Sequence, residues 1–499
     1  MRIYQRTILV VISSLFWSMI HSSCRKLIAI PPPVNTITTT QVFSTEAKAN
    51  AAMAGIYSAM INGDKSFSTW SSAQSVFSAG LVTIMGGLSS GEMYSYSGAN
   101  DQALYVLSTN KVNIYNTDRP ILAWETAYKT IYAANSVIEG IAASTAVTIK
   151  DSTRKALTGE AKFIRAFAYF YLTNLFGDVP LALTVDFNQT SSMPRTPQQQ
   201  VYQQIVSDLK DAADNLPESY PTGNGERVRA NKATANALLA RVYLYLGEYG
   251  NAAAAATTVI DNVASYGLET DLTRVFLKES REAIWQLKQT NTDNTLKNAT
   301  PEGYQMLPGV PVTGIAKFVL SDELLNSFEE GDQRFVAWTD STNNTGPQGT
   351  PGETTHYPAK YRIGISNGVF GAEAKEYYVV FRLAEMYLVR AEAAANGGPG
   401  GAAAAIADLN VLRRRAGLGD LPATLTAPQI KAAVAKERQI ELFAEWGHRW
   451  FDLKRTGMAH DVLSAMPLKQ PWSGDYQLLY PVPVSEIIVN HFLTQNPGY

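Results

Sequence analysis

The sequence predicts a mainly α fold in which helices pack in pairs, with long irregular loop insertions between some of the pairs. Two observations support this fold class. Apolar residues recur at intervals of three and four in several stretches of the 499-residue chain, and small residues stand where paired helices would cross. Recurring pairs of this kind are typical of a tetratricopeptide-like stack, in which each pair buries one face against the next.

The individual helices are predicted from their apolar stripes and from the residues that end them. One stripe includes Ala161, Ile164 and Ala168, and it stops at the run 177–180, which contains Gly and Pro. The other predicted helices are residues 124–141, 196–216, 232–246, 251–262, 381–396 and 402–417. No Lys-Ser/Thr pair follows the glycine-rich run 397–401, so this run predicts a turn between two helices and not a phosphate-binding loop.

Residues 436–455 are the densest in charge and aromatic bulk, and they predict one continuous buried helix. Its charges would have to be paired. The pairs predicted within this helix are Glu445–Arg449, Arg438–Glu441 and Arg449–Asp452. Nearby arginines lower carboxyl pKa values, which disfavours a general acid on this helix. Gly447 costs about 1 kcal/mol relative to Ala in a helix, so it predicts that another backbone approaches closely there.

The N-terminal segment predicts export and attachment to a membrane. Two arginines precede an apolar run at residues 8–20, which is too short to span a bilayer. Cys24 is the only cysteine of the chain and directly follows two serines. This arrangement predicts a signal peptide at residues 1–23 and lipid attachment at Cys24. Residues 24–40 include three consecutive prolines and are expected to form an extended tether.

Composition argues against several kinds of function. The chain has 42 Lys and Arg against 44 Asp and Glu, and no basic cluster follows the tether, so a nucleic acid is not expected as a partner. The histidines include no pair at i,i+4, and no thiol remains after Cys24, so neither a zinc site nor a cofactor is expected. A Gly-x-Ser-x-Gly nucleophile elbow is not expected. An enzyme would have to use carboxylates alone.

The run Arg-Trp-Phe-Asp-Leu-Lys-Arg at residues 449–455 resembles the C-terminal hallmark of the SusD/RagB family of outer-membrane nutrient-binding lipoproteins. Further segments resemble the same family: residues 24–33, 41–46, 51–57, 159–180, 320–324, 328–334, 382–392, 481–487 and 495–499. The resemblance therefore extends from Cys24 to Tyr499. It implies a single SusD-like body at residues 41–499, with an N-terminal region of about 41–230 and a C-terminal region of about 280–499.

The same resemblance implies a function. Such a protein would be a cell-surface lipoprotein that binds a glycan without cleaving it. It would deliver the glycan to a SusC-like TonB-dependent transporter in the outer membrane. The resemblance also implies four helix pairs in a right-handed scaffold, with the insertions lying over one side.

Aromatic residues in the irregular insertions are the candidates for glycan binding. An exposed ring offers a flat apolar face to a pyranose, and neighbouring polar side chains meet its hydroxyls. The candidate ligand-binding residues are Trp70, Tyr94, Tyr96, Asn100, Asp101 and Tyr304. If these residues do not bind, Trp338, Tyr357 and Tyr361 are the next candidates.

Two alternatives remain open at this point. One is a RagB-like lipoprotein that binds peptides. The other is a glycoside hydrolase, which needs two carboxylates facing each other across a sugar. The carboxylates in predicted loops are Glu92, Asp101, Glu302 and Asp340. The sequence shows no arrangement of these four that favours hydrolysis, so no catalytic residue is predicted.

Overall fold

Helices dominate the structure, a computed structural model that describes residues 39–63, 75–309, 316–344 and 353–499. Numbered in chain order, the helices are α1 Thr39–Val42, α2 Glu46–Asn62, α3 Val82–Ser90, α4 Gln102–Ser108, α5 Asp118–Ala143, α6 Asp151–Phe176, α7 Phe187–Thr190, α8 Gln198–Asn215, α9 Lys232–Tyr245, α10 Tyr249–Ile260, α11 Pro301–Met306, α12 Asp322–Leu325, α13 Gln333–Trp338, α14 Leu383–Ala395, α15 Gly401–Arg415, α16 Ala427–Leu442, α17 His448–Arg455, α18 Ala459–Ser464 and α19 Val484–Val489. The strands are β1 Met93–Ser95, β2 Ala283–Leu287, β3 Phe318–Leu320, β4 Thr339–Asn344, β5 Glu353–Pro358 and β6 Tyr378–Arg382.

The predicted stack of helix pairs is confirmed. Helices α5, α6, α8, α9, α10, α14, α15 and α16 pack in this order, each against the one before it. Small side chains let these helices approach closely: Ala237 and Ala240 of α9 and Ala252 and Ala256 of α10 are fully buried. One apolar core joins the N-terminal and C-terminal parts of the chain. None of the described helices has the length and apolarity needed to cross a membrane.

Local sequence signals explain where several helices begin. Asn231 caps α9 by accepting a hydrogen bond from the backbone N–H of Thr234, at 3.0 Å. Thr426 forms a similar capping box with Gln429 at the start of α16. The turn between α14 and α15 contains Gly400, whose φ of +82° suits glycine. The predicted turn at residues 397–401 is therefore confirmed.

The strands form three two-stranded antiparallel sheets within the described part of the chain. In the sheet that matters most for the candidate site, Tyr94 of β1 pairs with Val319 of β3. Strand β2 pairs with β6, and β4 pairs with β5. The prediction that residues 381–396 are all helical is wrong at the N-terminal end of this range. Phe381 pairs with Trp285 in the sheet, and α14 begins only at Leu383.

The prediction of one continuous helix at residues 436–455 is wrong. Helix α16 ends at Leu442 and α17 begins at His448, and between them Ala444 and Trp446 both have a φ of +49°. The break is stabilised by tertiary contacts. The backbone N–H of Trp446 donates to Oγ1 of Thr83 at 2.8 Å, and its indole N–H donates to the carbonyl of Val379 at 2.8 Å.

The predicted ion pairs within this segment are also wrong, because the break points the side chains towards other elements. Glu445 pairs with Arg382 at 2.8 Å, and Arg438 pairs with Asp452 at 2.7 Å across the break. Burial opposes the ionisation of Glu441, but the guanidinium groups of Arg415, Arg382 and Arg334 hold the pKa of Glu441 well below its usual value. The expectation that arginines lower the carboxyl pKa values holds for Glu441 and Glu445. It is wrong for Glu437, whose pKa is raised by burial.

Candidate ligand-binding site

Four of the predicted binding residues lie on one short stretch that is held by strand pairing. Tyr94 pairs with Val319, and the backbone N–H of Tyr96 donates to the carbonyl of Lys317 at 3.0 Å. The chain then turns through a 3-10 helix at Gly98–Asn100 and enters α4. Asp101 caps α4 by accepting a hydrogen bond from the backbone N–H of Leu104 at 3.3 Å. We call this stretch, residues 94–101, the β1–β3 edge, and it carries Tyr94, Asn100 and Asp101.

The four residues differ in exposure. Tyr94 and Asp101 are half-buried, and Asn100 is exposed. The expectation that the ring of Tyr96 faces solvent is wrong, because its relative exposure is 4%. Its hydroxyl has no hydrogen-bond partner among the described residues. The ring of Tyr96 is part of the packed interior beneath this stretch and is not accessible to a ligand.

Charged side chains add to the polar character of this edge. Burial lowers the pKa of Lys317, the attraction of Asp101 opposes this effect, and Arg119 lowers the pKa further. Lys317 therefore lies close enough to both Asp101 and Arg119 to interact electrostatically with each of them. The sequence did not predict a role for either Lys317 or Arg119. Neither carries a local signal, since the pairing of β1 with β3 joins segments more than two hundred residues apart.

Tyr304 lies on a different element, helix α11, and is half-buried. The backbone of Glu302 in α11 approaches Gly80, and Gly303 lies against the carbonyl of Ile363. Residues 310–315, which connect α11 to β3, and Trp70 lie outside the described residues, as does Cys24.

Comparison with known proteins assigns the family of this chain. Residues 38–244 match a family model described as "Starch-binding associating with outer membrane", and residues 329–499 match a model described as "SusD family". A curated relative, SusD-like protein P2 of Formosa agariphila, is 30% identical over 417 residues, which cover 75% of this chain and 80% of the relative. The chain belongs to the SusD/RagB family. The starch-binding protein SusD of Bacteroides thetaiotaomicron is 24% identical to this SusD-family protein, over 68% of this chain and 72% of the relative.

Solved structures show the same fold as this SusD-family chain. A laminarin-binding SusD-like protein is 26% identical and superposes with a TM-score of 0.73, covering 91% of this chain and 100% of the other. The surface glycan-binding protein A of Bacteroides fluxus, at 22% identity, has a TM-score of 0.73 over 91% of this chain and 100% of its own. The predicted mainly α SusD-like fold is therefore confirmed.

The second group of candidate aromatics in this SusD-family protein is buried. Trp338, Tyr357 and Tyr361 have relative exposures of 1%, 5% and 4%. The indole N–H of Trp338 donates to the carbonyl of Leu272 at 3.0 Å, and the hydroxyl of Tyr361 accepts from the backbone N–H of Val379 at 2.9 Å. The expectation that these rings could be the next binding candidates is wrong. The sequence pattern predicted an irregular segment, but Trp338 lies on helix α13 and Tyr357 on strand β5, and all three rings are buried.

The four carboxylates considered for hydrolysis lie in four different settings. Burial raises the pKa of both Glu92 and Glu302 to about 8. Asp101 caps α4, and Asp340 lies on β4 at 3.9 Å from Arg362. Hydrolysis requires two carboxylates placed on opposite sides of one bound sugar. No contact among the described residues brings two of these four carboxylates to one cleft.

Proposed function

We propose that this SusD-family protein binds a glycan and does not cleave it, and that Tyr94, Asn100, Asp101 and Tyr304 form its binding surface together with Trp70. The main support is the likeness to the laminarin-binding SusD-like protein, which extends over nearly the whole of both chains.

The chemistry of the β1–β3 edge suits a sugar ligand. Tyr94 on this edge and Tyr304 on α11 are both half-buried, so part of each side chain is open to solvent, and the apolar face of a tyrosine ring is a surface on which a pyranose stacks. Asn100 is exposed, so its amide can both donate to and accept from sugar hydroxyls. Asp101 accepts one hydrogen bond within the protein, and its carboxylate has further lone pairs for a ligand.

Binding to immobilised or gel-embedded laminarin and starch tests the proposal. We expect Tyr94→Ala and Tyr304→Ala to weaken binding, by roughly 1 to 3 kcal/mol by analogy with ring stacking on nucleobases. A matched control is Tyr132→Ala, because Tyr132 is 59% exposed on α5 and lies outside the proposed surface. Loss of affinity in Tyr132→Ala alone, or unchanged affinity in both site variants, would remove this surface from consideration.

The same incubation distinguishes the alternatives. We expect no reducing ends to appear with time, and their appearance would support the hydrolase. Binding to peptides without binding to glycans would support the RagB-like alternative. The first outcome would contradict the absence of cleavage, and the second would contradict the glycan as ligand.

We further propose that the protein is a lipoprotein of the outer membrane, anchored at the cell surface through lipid on Cys24, and that it delivers its ligand to a SusC-like TonB-dependent transporter. The description of the matching family as associated with the outer membrane supports this location. We expect Cys24→Ala to remain unprocessed or to leave the membrane fraction. Pull-down from detergent-solubilised outer membranes should recover a large barrel protein, and its absence would contradict the partnership.

A further inference from the structure

Two cavities meet at Arg449, and neither is lined by a described residue of the proposed glycan surface. The larger has a volume of about 860 Å³ and lies between the α9–α10 turn and helices α14, α16 and α17. The smaller has a volume of about 260 Å³ and lies between Glu92, α12 and α18. Gln439, Arg449 and Val462 line both cavities. The two spaces therefore form one cleft with a narrow branch.

The larger cavity carries an excess of positive charge. Its lining includes five cationic side chains and two carboxylates. The two carboxylates are already used, since Asp452 pairs with Arg438 at 2.7 Å and Glu392 pairs with Arg455 at 2.6 Å. The cations that these pairs leave uncompensated are Lys431, Lys436 and Arg449. Lys436 has only an exposed partner, Glu329 at 3.2 Å, and exposed pairs contribute little.

Arg449 is half-buried, yet it makes no hydrogen bond and no ion pair within the described part of the chain. Burial lowers the pKa of Arg449, and the negative charge of Asp452 opposes this effect. A guanidinium group has five N–H donors in a planar fork that matches a carboxylate. Arg449 thus presents unused donors at the junction of the two cavities.

A second arginine with an unused donor, Arg438, lies in the wall of the same cleft. Arg438 is only 2% exposed, and its Nε and Nη2 atoms donate to Asp452, whereas Nη1 has no hydrogen-bond partner among the described residues. Nη1 is itself buried behind the lining, so Arg438 adds positive charge to the wall of the cleft and this donor does not face its open space.

Glu92, which lines the smaller cavity, does not neutralise the positive charge of Arg449. Glu92 is 3% exposed, and its Oε1 atom has no hydrogen-bond partner in the described residues. Burial raises the pKa of Glu92 to about 8, so this carboxyl is mainly neutral at pH 7. It therefore adds hydroxyl and carbonyl groups to the branch, beside Ser90 and Ser321, and little negative charge. The other carboxylate of the branch, Glu323, is exposed to solvent, where an attraction to Arg449 is screened.

We propose that this cleft is a second ligand site, which binds an acidic oligosaccharide by placing a sugar carboxylate on the guanidinium of Arg449. Lys431, Lys436 and the buried Arg438 supply the attractive charge. The volume suits such a ligand, since ligand pockets commonly measure about 300 to 1,000 Å³. That the ligand is a sugar rests on the proposed function, whereas its negative charge follows from the cleft itself.

Isothermal titration of the full-length protein with trigalacturonate tests this site, with uncharged maltotriose and triglutamate as comparison probes. We expect saturable binding of trigalacturonate that weakens about tenfold or more in Arg449→Gln and in the double variant Lys431→Gln/Lys436→Gln. The matched control is Lys210→Gln, an exposed lysine on α8 outside the cleft, which should bind like the wild type. Increasing salt should weaken the binding of trigalacturonate.

The two exposed lysines keep the test decisive even if Arg449→Gln does not fold. No saturable binding of trigalacturonate, or equal affinity in the lysine double variant and the control, would overturn the proposal. Tighter binding of triglutamate than of trigalacturonate would overturn the assignment to a sugar. Failure here is separable from failure of the glycan surface, because Tyr94→Ala should lower laminarin binding and leave trigalacturonate binding unchanged.

Discussion

Gly86 and Gly447 are in direct backbone contact. A Cβ atom on Gly447 would lie 3.3 Å from the Cα of Gly86, and a Cβ atom on Gly86 would overlap the Cα of Gly447. This contact places α3 against the start of α17. It explains why glycine stands between two tryptophans, and it confirms the predicted close approach of another backbone.

We expect Gly86→Ala to destabilise the protein by about 1 to 3 kcal/mol or more, because neither backbone can move without disturbing the core. Thermal or urea unfolding measures the effect. Gly55→Ala is the matched control, since Gly55 lies in α2 with no atom within 4 Å of an added Cβ. That substitution should be neutral or stabilising by about 0.5 to 1 kcal/mol. Equal effects of the two substitutions would contradict the backbone contact.

Arg382 is the centre of a buried charge network. It is 2% exposed and pairs with Glu282 at 2.9 Å and with Glu445 at 2.8 Å. We expect Arg382→Met to lower the free energy of unfolding by about 3 to 5 kcal/mol, because it leaves buried carboxylates unpaired. Arg414→Met should change it by less than about 1 kcal/mol, since its pair with Asp420 is exposed. Unfolding curves of the two variants decide the matter, and similar losses would argue against the network.

Glu302 should make the stability depend on pH. Burial is the main cause that raises its pKa from the usual 4.5 to about 8. The folded state therefore holds a proton that the unfolded state releases, so the contribution of Glu302 is present at low pH and is lost as pH rises from about 4.5 to 8. The loss amounts to about 1.4 kcal/mol per pH unit within that window.

Glu302→Gln should remove this dependence, since an amide resembles the protonated carboxyl. We expect the Tm of the variant to rise relative to that of the wild type as the pH is raised from 5 to 8. Because the other buried groups titrate equally in both proteins, the difference isolates Glu302. Parallel Tm curves across this range would show that Glu302 has an ordinary pKa.

Substitutions at Trp446 and Tyr94 should have different effects: Trp446→Ala should lower the stability, and Tyr94→Ala should lower the affinity for laminarin. Trp446 is 2% exposed and stacks on Tyr378 at 5.0 Å, so Trp446→Ala is expected to cost about 3 to 5 kcal/mol through the cavity that it leaves. Tyr94→Ala should leave Tm nearly unchanged and weaken laminarin binding. Titration beside a thermal melt for each variant measures both quantities. A large loss of Tm in Tyr94→Ala would identify this residue as part of the core.

The sequence by itself determined the helices and the family. Apolar periodicity depends on residues three and four apart, so it located α8, α9 and α15 to within a few residues. The glycine turn at residues 397–401 and the glycine contact at Gly447 were also predictable, because only glycine suits such positions. For the binding surface, the sequence identified Tyr94, Asn100 and Asp101 as loop residues, and their role remains a prediction.

The tertiary structure decided what depends on contacts between distant segments. The break after Leu442 arises because Thr83 and Val379 bind the backbone and indole of Trp446, whereas the local pattern favours a continuous helix. The burial of Tyr96 depends on β3, and the cleft at Arg449 depends on helices far apart in the chain. Periodicity reports which side of an element is apolar, but burial and ion pairing depend on which element packs against it. That choice is made by the whole fold.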